Sequence, residues 1–188
     1  MIGDKPKGAV DSTGYETRHV SLHYRSKRAD TRQFWVYTFP KLTVLCHTQS
    51  YLWLAAQVSK GPTNDSPDFA PTVMEAASRI ALDQVLADAA YDSDHHHVFC
   101  REFLGIRSLV TPINNRRYRT WPKGRYRRAL KRRFPRRVYG QRAHVESSFS
   151  QDKRQLGSAF RAKSDEARNQ EVLLRVLVHD LMILKRTG

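Results

Sequence analysis

The sequence predicts an α/β protein in which a sheet is covered by helices on both faces. Strand-like segments come first in the chain, and later strands alternate with helical segments, which is the order typical of α/β folds. The chain has 188 residues, of which 40% are hydrophobic, so it is long enough to bury one core. We therefore expect one domain over residues 1–188, without internal repeats.

The first half of the chain supplies most of the predicted strands. Residues 9–14 are predicted to form a short strand that ends in a turn, and residues 20–24 alternate as a half-buried strand does. Residues 34–39 and 42–58 are rich in β-branched and aromatic side chains, which favours a central strand or pair of strands. A loop at 60–68 precedes a helix that starts near Pro71. We expect its inward side chains to be Phe69, Val73, Met74 and Ala77.

The second half alternates strands and helices. Residues 85–87 form a short apolar run that ends at Asp88, and residues 108–113 are predicted to form another buried strand. A helix over 95–104 would be capped by Ser93 or Asp94 and closed by Gly105. The last helix, over 164–186, is apolar nearly all round, which predicts that it is buried.

Positive charge is concentrated in one segment. The formal net charge is +15, and residues 114–137 contain 12 of the 33 Lys and Arg residues and no acid. The remainder is nearly balanced, so this segment favours a polyanionic partner. Aromatic side chains interleave with its cations, as in surfaces that follow a nucleic-acid backbone. The alternative is a flexible, solvated loop in the free protein.

Several functional classes are disfavoured. Cys46 and Cys100 have no motif spacing, and neither a signal peptide nor a membrane-spanning apolar run is visible, so we expect a cytoplasmic protein without membrane contact. The run from His95 to His97 resembles a metal tract. However, consecutive helical residues diverge by about 100°, so a helix start is the better interpretation.

Four polar residues near the C-terminal end share one helix face. Their spacing places them within an arc of about 60°, and they are Tyr139, Arg142, Glu146 and Lys153. An apolar stripe beside them contains Val138, Val145, Phe149 and Leu156. Such a helix can pack on a core while presenting a carboxylate to a metal ion and cations to phosphate.

Two further carboxylates have a related context. Asp11 and Asp88 each follow a short apolar strand and open a loop, and ligand sites of α/β sheets gather at the carboxyl ends of strands. If the two strands are parallel neighbours, these side chains come close together, and Glu146 can complete a trio suited to Mg²⁺. The alternative is that the aspartates are turn or cap residues and Glu146 is solvated. Ser12 and Thr13 are interpreted as turn hydroxyls rather than nucleophiles.

The spacing Tyr139-x2-Arg142-x3-Glu146-x6-Lys153 resembles the YREK signature of DDE transposases from bacterial insertion sequences, in the insertion-sequence-4-like group. The segment from Asp88 to Tyr91 resembles the second block of that family, Asp-x-Gly-Tyr/Phe, with Ala90 in place of glycine. Residues 11–13 resemble the first block, and residues 64–66 resemble a recurrent loop. The resemblance covers roughly residues 8–185.

This resemblance implies a ribonuclease-H-like fold with a mixed five-stranded sheet flanked by helices on both faces. It implies that Asp11, Asp88 and Glu146 are catalytic and hold two Mg²⁺ or Mn²⁺ ions. The implied partner is double-stranded DNA, as transposon ends and as target, bound by a possible homodimer. The DNA-binding residues would be Tyr139, Arg142, Lys153, Arg116, Arg117, Arg119, Arg125, Arg127 and Arg128.

The implied reaction is metal-dependent hydrolysis at the element's ends, followed by attack of the freed 3′-hydroxyl on target DNA. Such a protein would be cytoplasmic and associated with the nucleoid. Only ten residues precede Asp11, whereas the family usually carries a helical end-binding region there, so we expect that domain to be absent. Two alternatives stay open: an unproductive remnant that only binds DNA, and a stand-alone ribonuclease-H-like nuclease that needs no end sequence.

Overall fold

The computed structural model of the chain describes residues 5–17, 38–111 and 121–187. The predicted strand at 20–24 and the first part of the segment at 34–39 lie outside the described residues. Three of the predicted DNA-binding residues, Arg116, Arg117 and Arg119, also lie outside them.

The core of the fold is one mixed sheet of five strands. The described strands are β1 (Lys7–Gly14), β2 (Glu16–Thr17), β3 (Phe39–His47), β4 (Trp53–Gly61), β5 (Gln84–Ala87), β6 (Arg107–Val110) and β7 (Ala159–Phe160). Strands β2 and β7 form a separate pair. The order in the large sheet is β4-β3-β1-β5-β6. Strand β1 is antiparallel to β3 and parallel to β5, which confirms the predicted mixed sheet.

Six α-helices accompany the strands in the described part of the chain. They are α1 (Ser66–Arg79), α2 (Asp94–Val98), α3 (Arg125–Arg132), α4 (Arg136–Tyr139), α5 (Ala143–Leu156) and α6 (Asp165–Thr187). Single 3₁₀ turns occur at Ala89–Tyr91 and Gly140–Arg142, and a π turn at Phe99–Phe103 follows α2. None of the described helices is both long and apolar enough to cross a membrane.

Alternate residues of β1 enter different parts of the core. Ala9 belongs to a buried cluster that contains Val145 and Phe149 of α5. Val10 belongs to a second cluster that contains Phe69 and Val73 of α1. Because side chains alternate along a strand, positions 9, 11 and 13 share the face of α5, and positions 10 and 12 share the face of α1.

Helix α1 begins at Ser66, earlier than the predicted start near Pro71, and Pro71 lies inside the helix. Pro67 is in the first turn, where its missing N–H costs nothing. The predicted inward position of Met74 is wrong, since that side chain is 48% exposed. The buried positions 69, 72, 73 and 76 follow the helical repeat, and position 74 falls outside that stripe.

The predicted helix over 95–104 is divided into α2 and the π turn. The chain leaves this segment through Gly105, at φ +71°, which is the closing role predicted for that glycine. The described part of the basic segment contains α3 and the first half of α4. Leu130 of α3 is buried in the same core cluster as Ala9, so this part of the segment is folded onto the sheet rather than a free loop.

The prediction that the last helix is buried nearly all round is wrong. Its buried stripe consists of Val172, Arg175, His179 and Ile183, two of which are polar. A second face is 39 to 62% exposed, and it consists of Leu173, Leu174, Leu177, Val178, Leu181 and Leu184. Arg175 and His179 are buried because they have specific partners, which hydrophobicity alone does not predict.

Candidate active site

Asp11 lies inside strand β1, not at its end as predicted. The strand continues to Gly14 because it stays paired with β3, through Gly14 and Lys41. Its parallel pairing with β5, however, stops at Val10 and Ala87. From Asp11 onward, β1 is therefore no longer paired with β5. This gap between the two strands makes the Asp11 carboxylate accessible to a ligand.

Asp88 is the first residue after β5, one position beyond the last pair between Val10 and Ala87. The parallel register places it beside Asp11. Its carboxylate accepts a hydrogen bond from the backbone N–H of Ala90 at 2.8 Å and so caps the 3₁₀ turn Ala89–Tyr91. The aspartate is thus a cap residue, as the alternative interpretation held, and it also neighbours Asp11.

Glu146 is carried by helix α5, which packs on the Ala9 face of β1 through Val145 and Phe149. Its side chain is 54% exposed and accepts a 2.6 Å hydrogen bond from Nη2 of Arg142. Nη1 of the same guanidinium lies 3.7 Å from Oδ2 of Asp11. One arginine therefore lies between two of the three predicted carboxylates.

The Asp11 carboxylate interacts electrostatically with its neighbours Asp88 and Glu146. Burial raises the pKa of Asp11 to about 6. The backbone N–H of Ser12 and the Arg142 guanidinium oppose this rise, whereas the negative charges of Asp88 and Glu146 increase it. Asp11 is consequently a carboxyl group whose ionised form gains from an additional nearby cation.

The donor chemistry fits a hard divalent cation, because all three groups offer carboxylate oxygens. Within residues 5–17, 38–111 and 121–187, no three His, Cys, Asp or Glu side chains are gathered closely enough to form a finished metal site. The described arrangement instead has Arg142 as the cation between Asp11 and Glu146. The three residues are therefore neighbours, but they are not yet assembled as ligands.

Lys153 of α5 contacts the face of β1 that carries Asp11. It does so at Thr13, two positions further along the strand. Its ammonium donates to Oγ1 of Thr13 at 2.6 Å and to the carbonyl of Gly14 at 2.9 Å. Burial is the main cause that lowers its pKa, and the nearby Asp152 carboxylate works against that effect. These contacts hold a cation at the end of β1.

Tyr139 ends α4, Arg142 lies in the 3₁₀ turn Gly140–Arg142 that follows, and Glu146 and Lys153 lie in α5. The four residues therefore do not belong to one regular helix, although they follow one another through three consecutive helical elements. The Tyr139 ring packs on Phe134 with 4.8 Å between centroids, and the Arg142 guanidinium lies 5.9 Å from its centroid. The phenol thus borders the arginine that contacts the carboxylates.

Three of the predicted DNA-binding arginines lie in the described part of the basic segment, and they have different roles in the fold. Arg127 binds the Asp92 carboxylate through Nε at 2.8 Å and Nη2 at 2.6 Å, and the Asp92 side chain is fully buried. Arg128 donates to the carbonyl of Pro122, and Arg125 lies over the ring of Tyr126. The guanidinium of Arg127 is thus occupied by a protein carboxylate, which sequence reasoning missed because 35 residues separate the pair.

The consecutive histidines contact different partners. Nδ1 of His96 lies 2.9 Å from the carbonyl of Tyr91, and Nδ1 of His97 lies 2.7 Å from Oγ of Ser108. Burial lowers the pKa of both imidazoles, that of His97 to about 4. Both side chains are therefore built into the core around α2.

The sequence matches the family described as "Transposase DDE domain" over residues 2–181. No curated protein matches the chain. One similar solved structure is the cryo-EM structure of the simian T-cell lymphotropic virus intasome in complex with PP2A regulatory subunit B56 gamma. The identity is 14%, the TM-score is 0.38, and the match covers 77% of this chain and 48% of that one. The chain thus spans about half the length of the chain it matches there.

Proposed function

The chain belongs to the transposase DDE domain family, and from this premise we propose that it cleaves DNA strands and transfers them at the ends of an insertion sequence, using divalent metal ions. One observation carries the proposal. Asp11 lies close enough to Asp88 and Glu146 for their charges to act on it, and Arg142 contacts both Asp11 and Glu146. Paired carboxylates with adjacent cations are what a phosphodiester site requires.

We also infer the narrower assignments. The spacing from Tyr139 to Lys153 supports the insertion-sequence-4-like group with its YREK signature. The strand order and the two core clusters support a ribonuclease-H-like sheet with helices on both faces, in a single domain. A cytoplasmic location at the nucleoid and action as a dimer on DNA follow from the same assignment.

In this proposal Asp11, Asp88 and Glu146 would hold Mg²⁺ or Mn²⁺, as two ions. When bound, such ions polarise the phosphodiester and lower the pKa of an attacking oxygen. Two of the chain's own residues favour the binding of these ions. Burial and neighbouring negative charge make Asp11 a carboxylate that benefits from an added cation, and the 54% exposed Glu146 side chain can turn towards an ion once its bond to Arg142 opens.

Arg142 has two roles in this proposal. Without DNA its guanidinium contacts Asp11 and Glu146 and offsets part of their negative charge. Its forked donors also match the oxygens of a phosphate, so an incoming DNA backbone competes for them. When Arg142 turns to phosphate, the two carboxylates lose their cation, and their combined charge then favours a divalent ion. DNA binding and metal binding would therefore support each other.

Lys153 and Tyr139 border the same face and would hold the DNA backbone on either side of the carboxylates. Lys153 offers a localised charge fixed by Thr13 and Gly14, and Tyr139 offers a hydroxyl and a flat ring. Arg125 and Arg128 of α3, with Arg116, Arg117 and Arg119, are the proposed flanking contacts. These groups bind phosphate and read no base sequence.

The test is cleavage and strand transfer with DNA that carries the sequences flanking the gene, with and without Mg²⁺. We expect activity only with the metal, and we expect Glu146→Gln to abolish it while the circular dichroism spectrum is unchanged. Glu166→Gln, at an exposed position of α6, is the matched control and should retain activity. Full activity of Glu146→Gln would contradict the proposal.

The same assay separates the alternatives. Cleavage at the flanking sequences, in preference to unrelated DNA, supports the transposase assignment. Equal cleavage of all duplexes supports a stand-alone nuclease. DNA binding without cleavage at any Mg²⁺ or Mn²⁺ concentration supports the unproductive remnant, in which Arg142 stays between the carboxylates.

A further inference from the structure

A chain of hydrogen bonds crosses the sheet on the face opposite to the carboxylates. Oδ2 of Asp68 accepts from Ser59 at 3.0 Å and from Thr43 at 3.2 Å. Oγ1 of Thr43 lies 2.7 Å from Oγ of Ser12, which in turn lies 2.7 Å from the hydroxyl of Tyr91. The chain thus links β4, β3 and β1 to the turn that follows β5.

The direction of these bonds follows from their acceptor end. The Asp68 carboxylate accepts, with the ammonium of Lys41 3.0 Å from the same oxygen, so the Thr43 hydroxyl donates to it. Thr43 must then accept from Ser12, and the oxygen of Ser12 accepts from Tyr91. Each hydroxyl has one donor role and one defined acceptor, which restricts the rotation of all three.

The last link joins the two segments that carry Asp11 and Asp88. Ser12 follows Asp11 directly, and fully buried Tyr91 ends the 3₁₀ turn that Asp88 caps. The backbone pairing of β1 with β5 has already stopped at Val10. Beyond that point, the hydrogen bond between Tyr91 and Ser12 ties the segment that carries Asp88 to the segment that carries Asp11.

We propose that Tyr91 and Ser12 are positioning residues that fix the spacing of Asp11 and Asp88 for a shared divalent cation. This inference rests on the proposed function, since it assumes that the two carboxylates share an ion. Neither hydroxyl touches the metal. They act from the opposite face of β1, by holding the turn after β5 against the strand.

The substitution Tyr91→Phe isolates this role. The Tyr91 ring packs on Phe69 with 5.6 Å between centroids, and phenylalanine keeps that packing while it removes the hydroxyl. Ser12→Ala removes the other partner of the same bond, together with the bond to Thr43, and leaves the ring in place. A pair of variants therefore tests one hydrogen bond from both ends, and the double variant measures their coupling.

The probe is Mn²⁺ alone, with the free ion quantified by electron paramagnetic resonance in the presence of the whole chain. We expect each single variant to bind Mn²⁺ about tenfold more weakly, and the double variant to bind no more weakly than the worse single variant. Cleavage of DNA should return towards the wild-type rate at saturating Mn²⁺. Tyr51→Phe, whose described side-chain contact is a ring stack on His144, is the control and should bind Mn²⁺ normally.

Each outcome decides between the two proposals. If the wild-type chain binds Mn²⁺ and loses binding on Asp11→Asn, but Tyr91→Phe and Ser12→Ala bind it normally, the positioning role is wrong and the proposed function stands. Strictly additive losses in the double variant would also contradict a shared link. If the wild-type chain fails to bind Mn²⁺, or Asp11→Asn binds it equally well, the proposed metal site itself is wrong.

Discussion

Arg142 donates a 2.6 Å hydrogen bond to Glu146 one helical turn further along the chain, and its second terminal nitrogen lies 3.7 Å from the Asp11 carboxylate. The guanidinium is mostly buried, whereas the Glu146 side chain is 54% exposed. Because solvent reaches the glutamate and screens the attraction, such an ion pair is worth only about 0–1 kcal/mol. The pair can therefore open at low cost when another ligand competes for either partner.

Replacing Arg142 by Gln should make the fold depend on divalent metal. Without the guanidinium, Asp11 and Glu146 lose their cation and repel each other, so we expect the free energy of unfolding without metal to fall by about 1 kcal/mol. Mg²⁺ should then raise the melting temperature of the variant more than that of the wild type. Thermal unfolding over a series of Mg²⁺ concentrations measures both effects.

Arg168→Gln provides the comparison, because Arg168 pairs with Asp165 far along the chain in α6. This control should not change the response to Mg²⁺. An equal response to Mg²⁺ in all three proteins would show that Arg142 has no part in the carboxylate site.

Replacing Lys153 by Gln should weaken DNA binding without preference for sequence. The ammonium is fixed beside β1 by Thr13 and Gly14, and one lost phosphate contact lowers the salt dependence of binding by roughly one unit of slope. Fluorescence anisotropy at several salt concentrations measures that slope. The neighbouring substitution Arg154→Gln removes an exposed cation that bonds to Ser150 in its own helix. If both variants lower the slope equally, Lys153 has no special contact.

Arg127 and Arg128 should differ in what they stabilise. Asp92 is fully buried and Arg127 is its bidentate partner, so Arg127→Ala removes the cation that faces a buried carboxylate and should cost about 3–5 kcal/mol of folding free energy. Arg128→Ala should cost less than about 0.5 kcal/mol and should weaken DNA binding instead. Urea denaturation and anisotropy measure the two effects.

The combined variant Asp92→Asn with Arg127→Gln strengthens this comparison, since it removes both charges and should recover part of the lost stability. A stable Arg127→Ala protein with weakened DNA binding would reverse the assignment and return this arginine to the DNA contacts.

How well a feature of this fold can be predicted depends on how far apart in the sequence the interacting residues lie. The contact between Arg142 and Glu146 spans one helical turn, so their spacing alone indicated that they share a face. The positions of Asp11 and Asp88 after apolar segments likewise indicated neighbouring strands, and the register of Val10 with Ala87 agrees. The position of Asp11 inside β1, rather than at the start of a loop, was missed, because it depends on pairing with β3 more than 25 residues away.

Polar residues with distant partners escaped prediction. Nothing local marks Arg127 as the partner of Asp92, or Tyr91 as the partner of Ser12. The prediction that the last helix is buried was wrong for a related reason. Its buried stripe contains Arg175, which lies 3.3 Å from buried Asp152, and a pattern of apolar residues cannot show that a charged side chain is turned inward.

His97 should make stability depend on pH. Burial is the main cause that lowers its pKa to about 4 in the folded chain, whereas an unfolded histidine has a pKa near 6.5. Between these values the unfolded chain binds a proton that the folded chain does not. The stability present above about pH 6.5 is therefore lost as the pH falls towards 4.

Urea denaturation of the wild type and of His97→Gln at several pH values isolates this effect. Asp11 and Asp180, whose pKa values burial raises to about 6, act in the opposite direction in both proteins, so the difference between the two curves is the measured quantity. We expect the difference to shrink as the pH falls from 6.5 to 4. A difference that is independent of pH would show that His97 is protonated alike in both states.

The two faces of α6 should respond oppositely to substitution. Ile183 is 7% exposed and belongs to the buried stripe, so Ile183→Ala should cost about 2–5 kcal/mol through the lost burial and the cavity. Leu177 is 56% exposed, and Leu177→Lys should change the free energy of unfolding by less than about 0.5 kcal/mol. Urea denaturation at two protein concentrations measures both values. If Leu177→Lys is as costly as Ile183→Ala, this leucine face is covered in solution, and a cost that grows with protein concentration would identify a second copy of the chain as the cover.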